Sequence, residues 1–430
     1  MKNNFQIIII IVFIAAAVIA LLIFSGSIPL GGNSATTGAG TVTVWGTIRG
    51  DVVNPLLDEF NTANPAFVVK YVQKDKDTFD QDLLEALASG AGPDMFFISQ
   101  DLAYHYGNKI LVVPYTTYPM SAFQTNFASA GEVFTSPAGI IAFPVLIDPL
   151  VMYYNRTTLD TNGIVYPPAT WDELVSMVPA LTKKDDTNKI NKSAVAFGHF
   201  SNVAHAKDIL SMLFMQTGNK IVKEQGGRFI SDLNNSSSTY QTEDMLKFYT
   251  DFANPQESIY SWNKSFPNAR DYFSTENLAF YFGYASELTY LVNKNPNHNM
   301  LVASVPQIKG SNSKATMAQV TGLAISRFST NSNTALIAAQ QMSSGSFAAQ
   351  LAQNLGVAPA RRDLLAVKPT DSYFSVFYKS ALYAQSWLDP SPKDTDDIFS
   401  KMIDGVLSNI FRADQAISDA SSKISLLLNK

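Results

Sequence analysis

The hydrophobic positions of residues 41–72 alternate between strand and helix patterns. Residues 41–46 (TVTVWG) and 66–72 (AFVVKYV) are rich in β-branched side chains, which is typical of strands. Between them, residues 51–61 (DVVNPLLDEFN) carry apolar side chains at the three-and-four spacing of one helix face. The pattern therefore predicts a strand, a helix and a second strand in succession.

The stretch EALASGAGPDMFFIS, residues 85–99, ends a second predicted helix and begins a third predicted strand. Gly90 and Gly92 allow the left-handed turn that closes a helix, and Pro93 cannot continue one. Residues 95–98 are apolar on both faces, as expected of a strand covered by helices. This alternation predicts an α/β fold with a mostly parallel sheet, which binds ligands beyond the carboxyl ends of its strands.

Residues 139–155 (GIIAFPVLIDPLVMYYN) form a long, extended, apolar segment. The segment is either a single core strand or a strand that leaves one domain and enters another. Further along, Thr170 and Glu173 have the spacing of a capping box at the start of a helix. Predicted strands and helices continue to the C-terminal part of the chain, which is helical in pattern.

The N-terminal residues 5–24 are almost entirely apolar and long enough to span a hydrocarbon core of about 30 Å. The flanking charge of Lys2 favours a cytoplasmic N-terminus. A cleaved signal peptide and a retained anchor both fit this run, and its length favours the anchor. We predict a transmembrane signal anchor over residues 1–24 and a flexible tether over residues 25–40. The protein would then be a single-pass protein of the cell membrane with an extracytoplasmic C-terminal domain.

Length and composition narrow the classes of protein. At 430 residues the chain is long enough for two domains, and 46% hydrophobic residues suit a folded protein. A net charge of −5 without a basic patch argues against a nucleic-acid partner. The absence of cysteine excludes disulfides, thiolate catalysis and cysteine-bound metals. Since no nucleophile or metalloprotease motif is present, the sequence predicts neither an enzyme nor a cofactor.

In this order, the motifs resemble the family 1 extracellular solute-binding proteins of ABC importers, the group that includes maltose-binding protein. The resemblance extends from Thr41 to the C-terminus. It is carried by VTVWG, LLDEFNTANPAFVVKYV, LLEALASGAGPDMFFIS, the pair MYYNRTTLD and YPPATWDELVSMV, FSTENLAFYFG and GVAPARRDLL.

The resemblance implies a two-lobe periplasmic-binding-protein-like fold, in which two α/β lobes joined by hinge crossings close on a ligand. By analogy, the first lobe holds residues 41–146 and 323–366, and the second lobe holds residues 147–322 and 367–430. The middle of the segment 139–155 is then the first hinge crossing. The Gly-Pro-Asp turn is scaffold that delivers the end of its strand to the cleft.

Two carboxylates are candidate ligands of a solute by this resemblance. Asp101 follows the Gly-Pro-Asp strand, where the family's pattern has a ligand carboxylate; the alternative is an N-cap for a helix from Leu102. Asp148 matches a second acidic ligand position at the hinge; the alternative is a turn residue fixed by Pro149. Ionised carboxylates accept strong hydrogen bonds from sugar hydroxyls, which suits both candidates to a carbohydrate.

Polar and aromatic residues on predicted loops complete the candidate site. Tyr284 and Ser286 match the family's ligand loop, where a tryptophan is usual and this sequence has none. The other candidates are Trp45, Thr47 and Arg49 after the first strand, Asn202 and His205 on a second-lobe loop, and Trp387 as a stacking residue. The alternatives are core burial for the tryptophans, Trp262 included, and plain surface charge for Arg49. A zinc site at His199 and His205 lacks a third ligand, so no metal is predicted.

These expectations give one leading function and two alternatives. The leading function is a membrane-tethered substrate-binding protein of an ABC importer, which captures a sugar or oligosaccharide by hinged closure and presents it to permease subunits. One alternative is an extracellular ligand sensor with the same fold. The other is a binder of a non-sugar solute such as a peptide, a polyol or an anion. The scaffold alone does not name the solute.

Overall fold

The computed structural model describes residues 40–235, 241–311 and 313–429. The predicted anchor over residues 1–24 and the predicted tether up to residue 39 lie outside the described residues. Within the described ranges, none of the helices is long and apolar enough to cross a membrane. The chain from Thr41 onwards forms one compact unit.

Strands and helices alternate along the chain. The strands are β1 Thr41–Gly46, β2 Val68–Gln73, β3 Met95–Ser99, β4 Thr135–Ser136, β5 Gly139–Ile140, β6 Phe143–Asn155, β7 Lys183–Lys184, β8 Ile190–Val195, β9 Val222–Gln225, β10 Arg228–Ser231, β11 Leu278–Tyr284, β12 Met300–Ala303, β13 Thr316–Ile325, β14 Ala358–Pro359 and β15 Ala384–Gln385. The helices are α1 Gly50–Ala63, α2 Phe79–Ser89, α3 Met120–Asn126, α4 Arg156–Thr161, α5 Trp171–Leu181, α6 Ala206–Gln216, α7 Thr242–Asp251, α8 Ala269–Ser274, α9 Leu288–Lys294, α10 Ser332–Met342, α11 Gly345–Leu355, α12 Arg362–Leu365, α13 Ser372–Ala381, α14 Pro392–Leu407 and α15 Ala413–Leu427. Short 3₁₀ segments follow α3 at Ser129–Phe134 and β11 at Ala285–Glu287.

The main sheet runs in the order β2-β1-β3-β13-β6-β11-β8-β7. Its first three strands are parallel, as the alternation of strands and helices predicts. β13 is antiparallel to both β3 and β6, and β6 is antiparallel to β11. The shorter strands β12 and β14 pair with β6, and β15 pairs with β13. β6 and β13 are therefore shared by the two halves of the sheet.

The buried apolar side chains form two separate cores. The first core takes residues from Val42 to Ile147 and from Ala318 to Leu365, together with Ala381 and Ala384. The second core takes residues from Leu150 to Met317 and from Phe377 to Leu428. We call the parts of the chain around these cores the first lobe and the second lobe. The residue boundaries predicted for the lobes stay a prediction.

The long segment 139–155 contains β5 and β6, and β6 passes from one core to the other. Ile147 belongs to the first core and Leu150 to the second. β6 is buried on both faces along nearly its whole length, and Asp148 is the partly exposed exception. The structure thus supports the second interpretation of this segment, a strand that leaves one lobe and enters the other.

The Gly-Pro-Asp turn before β3 is structural. Gly90 ends α2 in the left-handed conformation with φ of 74°, as its type favours. The carboxylate of Asp94 accepts hydrogen bonds from the backbone N–H of Thr43 (2.9 Å), the hydroxyl of Ser329 (2.5 Å) and the amide of Asn331 (3.3 Å). Asp94 therefore joins β1 to the loop after β13, and this loop precedes α10.

The start of α5 differs in one detail from the predicted capping box. The hydroxyl of Thr170 accepts a hydrogen bond from the N–H of Glu173 at 3.3 Å, as predicted. The carboxylate of Glu173 accepts its hydrogen bond from Ala169, one residue before the N-cap, at 2.7 Å. The two side chains still satisfy two N–H groups at the helix start, which is the function of the motif.

Candidate functional site

Asp148 lies at the point where β6 crosses between the lobes. It pairs with Gln319 of β13 in an antiparallel register, so the two side chains lie on the same face of the sheet. Asp148 Oδ1 accepts a hydrogen bond of 3.1 Å from the backbone N–H of Ser286, in the 3₁₀ segment that follows β11. The predicted pair Asp148 and Ser286 is thus in direct contact.

Asp101 reaches the same place from the other side of β13. Ser99 of β3 pairs with Thr321, and Gln100 continues the pairing through hydrogen bonds with the N–H (2.7 Å) and carbonyl (3.2 Å) of Val320. The chain at Asp101 therefore leaves the sheet beside Gln319. One strand, β13, therefore lies between the segment that leads to Asp101 and β6, which carries Asp148.

One carboxylate oxygen of Asp101 has no hydrogen-bond donor within the described residues. Asp101 Oδ1 is buried and has no hydrogen-bond partner among the described residues. A buried acceptor without a donor costs free energy, so a donor supplied by a ligand would be favourable here. The structure places Asp101 in a turn after β3, so the alternative role as the N-cap of a helix is not observed.

The second lobe surrounds Asp148 with ionisable groups. We call Asp148, His205, Asp208, Tyr284 and Glu287 the acid–histidine cluster. His205 Nε2 lies 2.6 Å from Glu287 Oε1, and its Nδ1 lies 4.0 Å from Asp208 Oδ2. The rings of His205 and Tyr284 meet edge to face, with their centroids 4.8 Å apart. The backbone N–H of Tyr284 also donates to Glu287 Oε1 at 2.9 Å.

Local sequence explains how these side chains converge. His205 adopts the left-handed conformation, with φ of 58°, immediately before α6, and Asp208 follows it by three residues on the first turn. β11 is buried throughout and ends at Tyr284, and the 3₁₀ segment then carries Glu287 back over the strand end. His205 and Glu287, whose side chains are in contact, are 82 positions apart in the sequence.

Burial shifts the ionisation of the cluster. It raises the pKa of Asp148 to about 7, against the hydrogen bond with Ser286, which lowers it. Burial also raises the pKa of Asp208 above its ordinary value, although His205 opposes this. Burial lowers the pKa of His205, but the hydrogen bond and charge of Glu287 outweigh it, so this pKa is raised overall. Burial alone would raise the pKa of Glu287, but the contacts with His205 and Tyr281 outweigh burial, so this pKa is lowered overall.

The three candidates after β1 belong to the first lobe. Trp45 is half-buried against the first core, and Lys74 Nζ lies 3.6 Å from the centre of its ring. Thr47 is half-buried in the bend that follows β1. Arg49 is exposed and forms an ion pair with Asp51, in which Arg49 Nε lies 2.9 Å from Asp51 Oδ1. No hydrogen bond or ion pair joins these residues to Asp101 or Asp148 in the described part of the chain.

Asn202 is buried within the second lobe, where its amide is engaged by protein groups. Its Nδ2 donates to the carbonyls of Asn263 (2.9 Å) and Phe266 (3.1 Å), and its Oδ1 accepts from the indole of Trp262 (3.0 Å). Trp262 is fully buried, in agreement with the core alternative. No hydrogen bond joins Asn202 to Asp148 among the described residues, and its role in binding stays a prediction.

Trp387 is 5% exposed and packs against Phe399 with its ring stacked at a centroid distance of 6.3 Å. It lines a cavity between the lobes, whose lining residues include none of the acid–histidine cluster. Trp387 thus lines a cavity other than the site around Asp148, and its role in solute binding stays a prediction. His199 is half-buried, and the described residues hold no group of three or more His, Asp or Glu side chains arranged to bind a metal ion.

Four residues of this site were missed by sequence reasoning. Asp208 could have been found, because a spacing of three on a helix places it on the same face as His205. Gln100 and Gln319 are brought in by the register of β13, and Glu287 by the fold of the second lobe. No short-range pattern in the sequence signals these three positions.

The fold and the crossing strands define a two-lobe binding protein of the periplasmic type. Residues 56–378 match the family described as bacterial extracellular solute-binding protein. The match covers most of the chain, so the chain belongs to this family. Among curated proteins, putative binding proteins of Brucella abortus and Brucella suis are 25% identical over 138 residues. That alignment covers 31% of this chain and 33% of each relative, so the chain matches about a third of the length of these relatives.

Solved structures share the fold over nearly the whole chain. A cyclo/maltodextrin-binding protein solved with maltotetraose has a TM-score of 0.72 at 18% identity, covering 92% of this chain and 97% of its own. The cyclic α-maltosyl-1,6-maltose binding protein of Arthrobacter globiformis has a TM-score of 0.74 at 15% identity, with coverages of 90% and 98%. An extracellular solute-binding protein of Staphylococcus aureus, solved with maltose, has a TM-score of 0.72 at 15% identity, covering 90% of this chain and 98% of its own. At such identities the likeness shows the fold.

Proposed function

We propose that this chain is the substrate-binding protein of an ABC importer and binds a sugar or oligosaccharide between its two lobes. The observation that carries the proposal is the pairing of Asp148 with Gln319 on β6 and β13, the strands that the two lobes share, beside the segment after β3 that carries Asp101. A solute held there contacts both lobes, so its binding favours the closed arrangement by the difference in affinity between the two states.

The chemistry of these groups suits hydroxyl donors. Two carboxylates and one amide can each accept hydrogen bonds, and a sugar presents several hydroxyl donors. The ligands bound in the solved structural relatives, maltotetraose and maltose, support the carbohydrate class. The family supports binding rather than catalysis. The permease subunits of the importer are the protein partners of this proposal.

Calorimetric and thermal-shift titrations of the purified full-length chain test the proposal. Maltose, maltotetraose and tagatose are compared with a short peptide, a polyol and an inorganic anion. A carbohydrate is expected to raise the unfolding midpoint by mass action, while the other classes leave it unchanged. Binding of the peptide, polyol or anion with no response to any sugar would overturn the carbohydrate assignment.

We further propose that residues 1–24 are retained and hold the protein at the outer face of the cell membrane. The long apolar run and Lys2 support this location. Intact-mass measurement of the mature protein should show a chain that still contains Lys2, and the protein should stay with membranes after a salt wash. A mature N-terminus near Ile28 would show cleavage instead.

A further inference from the structure

A cavity of about 540 Å³ opens between the lobes, and its lining includes no residue of the acid–histidine cluster. The first lobe contributes Tyr115 and Val133, and the second lobe contributes Met215, Phe229 and Trp387. This volume is in the range of small-molecule sites, which measure about 300–1,000 Å³.

Strand register places the first-lobe wall of the cavity on the face of the sheet opposite to Asp148, whereas α6 lies near both sites, because Asp208 is on its first turn and Met215 lines the cavity. Asp148 and Gln319 share one face, and Thr316 and Gly322 each stand three residues from Gln319, so they lie on the other face. Thr316 contacts Met212 of α6 at 3.8 Å, and Gly322 is covered by Phe134 of the 3₁₀ segment Ser129–Phe134. The cavity is lined by residues of these same two elements.

The apolar part of the lining suits a flat ring. Trp387 is held by stacking on Phe399, and Phe229, Val222 and Tyr115 are half-buried side chains that also line the cavity. Preformed aromatic walls bind rings with little loss of side-chain entropy. The hydroxyl of Ser386 also lines the cavity, and it is buried without a hydrogen-bond partner among the described residues.

Of the charged groups in the lining, Lys220 is the one left without a partner in the described ranges. Lys223 Nζ pairs with Asp232 at 2.6 Å. Glu132 accepts a hydrogen bond from Gln124, and Glu224 accepts one from the N–H of Gly227. The cavity thus joins an aromatic wall to an ammonium group that has no protein counter-ion.

We infer that this cavity is a second binding site, distinct from the solute site, for a small aromatic carboxylate. The ring lies against Trp387 and Phe229, the carboxylate pairs with Lys220, and the hydroxyl of Ser386 donates a hydrogen bond to the ligand. A charge-assisted hydrogen bond to an ammonium is about twice as strong as a neutral one, so the negative charge of the ligand contributes to its selection.

Calorimetric titration of the full-length chain with 2-naphthoate and with its neutral analogue 2-naphthamide tests the charge requirement. Wild-type protein should bind one naphthoate, about tenfold more tightly than naphthamide, which corresponds to about 1.4 kcal/mol. Lys220→Gln should bind the two compounds equally. Lys264→Gln, an exposed lysine outside the cavity, should keep the wild-type preference. A preference that survives in Lys220→Gln would overturn the assignment.

A cavity-filling variant tests the location. Val222→Trp places a large ring in the cavity and should weaken naphthoate binding by more than tenfold. Val165→Trp, at a position that is 61% exposed, should leave it unchanged. Wild-type affinity in a folded Val222→Trp protein would also overturn the proposal. If Val222→Trp does not fold, the comparison of Lys220→Gln with Lys264→Gln remains the test. Asp148→Asn should bind naphthoate normally, so loss of sugar binding and loss of this site are distinguishable.

Discussion

Asp148 and Ser286 are joined by a hydrogen bond of 3.1 Å from a backbone N–H to a carboxylate oxygen, at the strand that connects the two lobes. An ionised carboxylate offers about four lone-pair positions, and this bond occupies one of them. The same carboxylate lies opposite Gln319, and Asp101 stands on the far side of that residue. Acceptor capacity is therefore concentrated where a solute would contact both lobes.

Replacing either carboxylate should weaken binding of the solute found in the sugar titrations. We expect Asp101→Ala and Asp148→Ala each to cost about 1–3 kcal/mol of binding free energy, because each removes a charged hydrogen-bond acceptor. Isothermal titration calorimetry measures the change. Asp58→Ala, an exposed position on α1, is the matched control and should bind as the wild type does. Unchanged affinity in both site variants would remove them from the site.

The stability of the protein should depend on pH through Asp148. Burial raises its pKa to about 7 in the folded state, compared with about 3.9 for an unfolded chain. Between these values the folded state keeps a proton that the unfolded state releases. The stabilising contribution is therefore present at low pH and is lost as the pH rises through 7. Asp148→Asn removes this titration, so the variant should gain stability relative to the wild type as the pH increases.

Urea unfolding at pH 4.5 and pH 8 measures this difference for the wild type and Asp148→Asn. The free energy of unfolding of the variant minus that of the wild type should be larger at pH 8. Asp185→Asn is a control of opposite sign, because hydrogen bonds from Thr187 and Lys189 hold the pKa of Asp185 below its usual value. That variant should be less stable than the wild type at pH 8. A pH-independent difference for Asp148→Asn would contradict the raised pKa.

Much of the fold was predictable because its elements are encoded locally. The alternation in residues 41–46 and the glycines around Pro93 predicted β1, the end of α2 and the start of β3 from neighbouring residues alone. Asp101 and Asp148 were predicted from the resemblance, and in the structure the segments that carry them lie on either side of β13. Their role in binding stays a prediction.

Contacts between distant segments were not predictable in the same way. Glu287 contacts His205 across 82 positions, and each residue alone has an ordinary local sequence. The local sequence around Trp387 is compatible with a position in a solute cleft and with a position in the cavity described above. Long-range packing determines which of the two Trp387 lines. Such choices depend on the register of β6 and β13, which a single sequence does not display.

The amide of Asn202 separates a structural role from a ligand role. Its donors and its acceptor are bound to Asn263, Phe266 and Trp262 inside the second lobe. Asn202→Ala should therefore lower the free energy of unfolding by about 1–3 kcal/mol and leave solute affinity within twofold of the wild type. Denaturant unfolding and calorimetry on the same variant check both. A large loss of affinity at full stability would restore Asn202 to the ligand site.

Asp94 provides the corresponding test of the Gly-Pro-Asp turn, which the structure shows as scaffold. Its carboxylate binds Thr43, Ser329 and Asn331, so Asp94→Ala leaves the N–H of Thr43 without its acceptor. We expect a loss of about 1–3 kcal/mol in the free energy of unfolding, with solute affinity preserved in the folded fraction. Asp77→Ala, at an exposed position before α2, should change neither quantity. If Asp94→Ala abolished solute binding without lowering stability, the turn would belong to the binding site and its assignment as scaffold would be wrong.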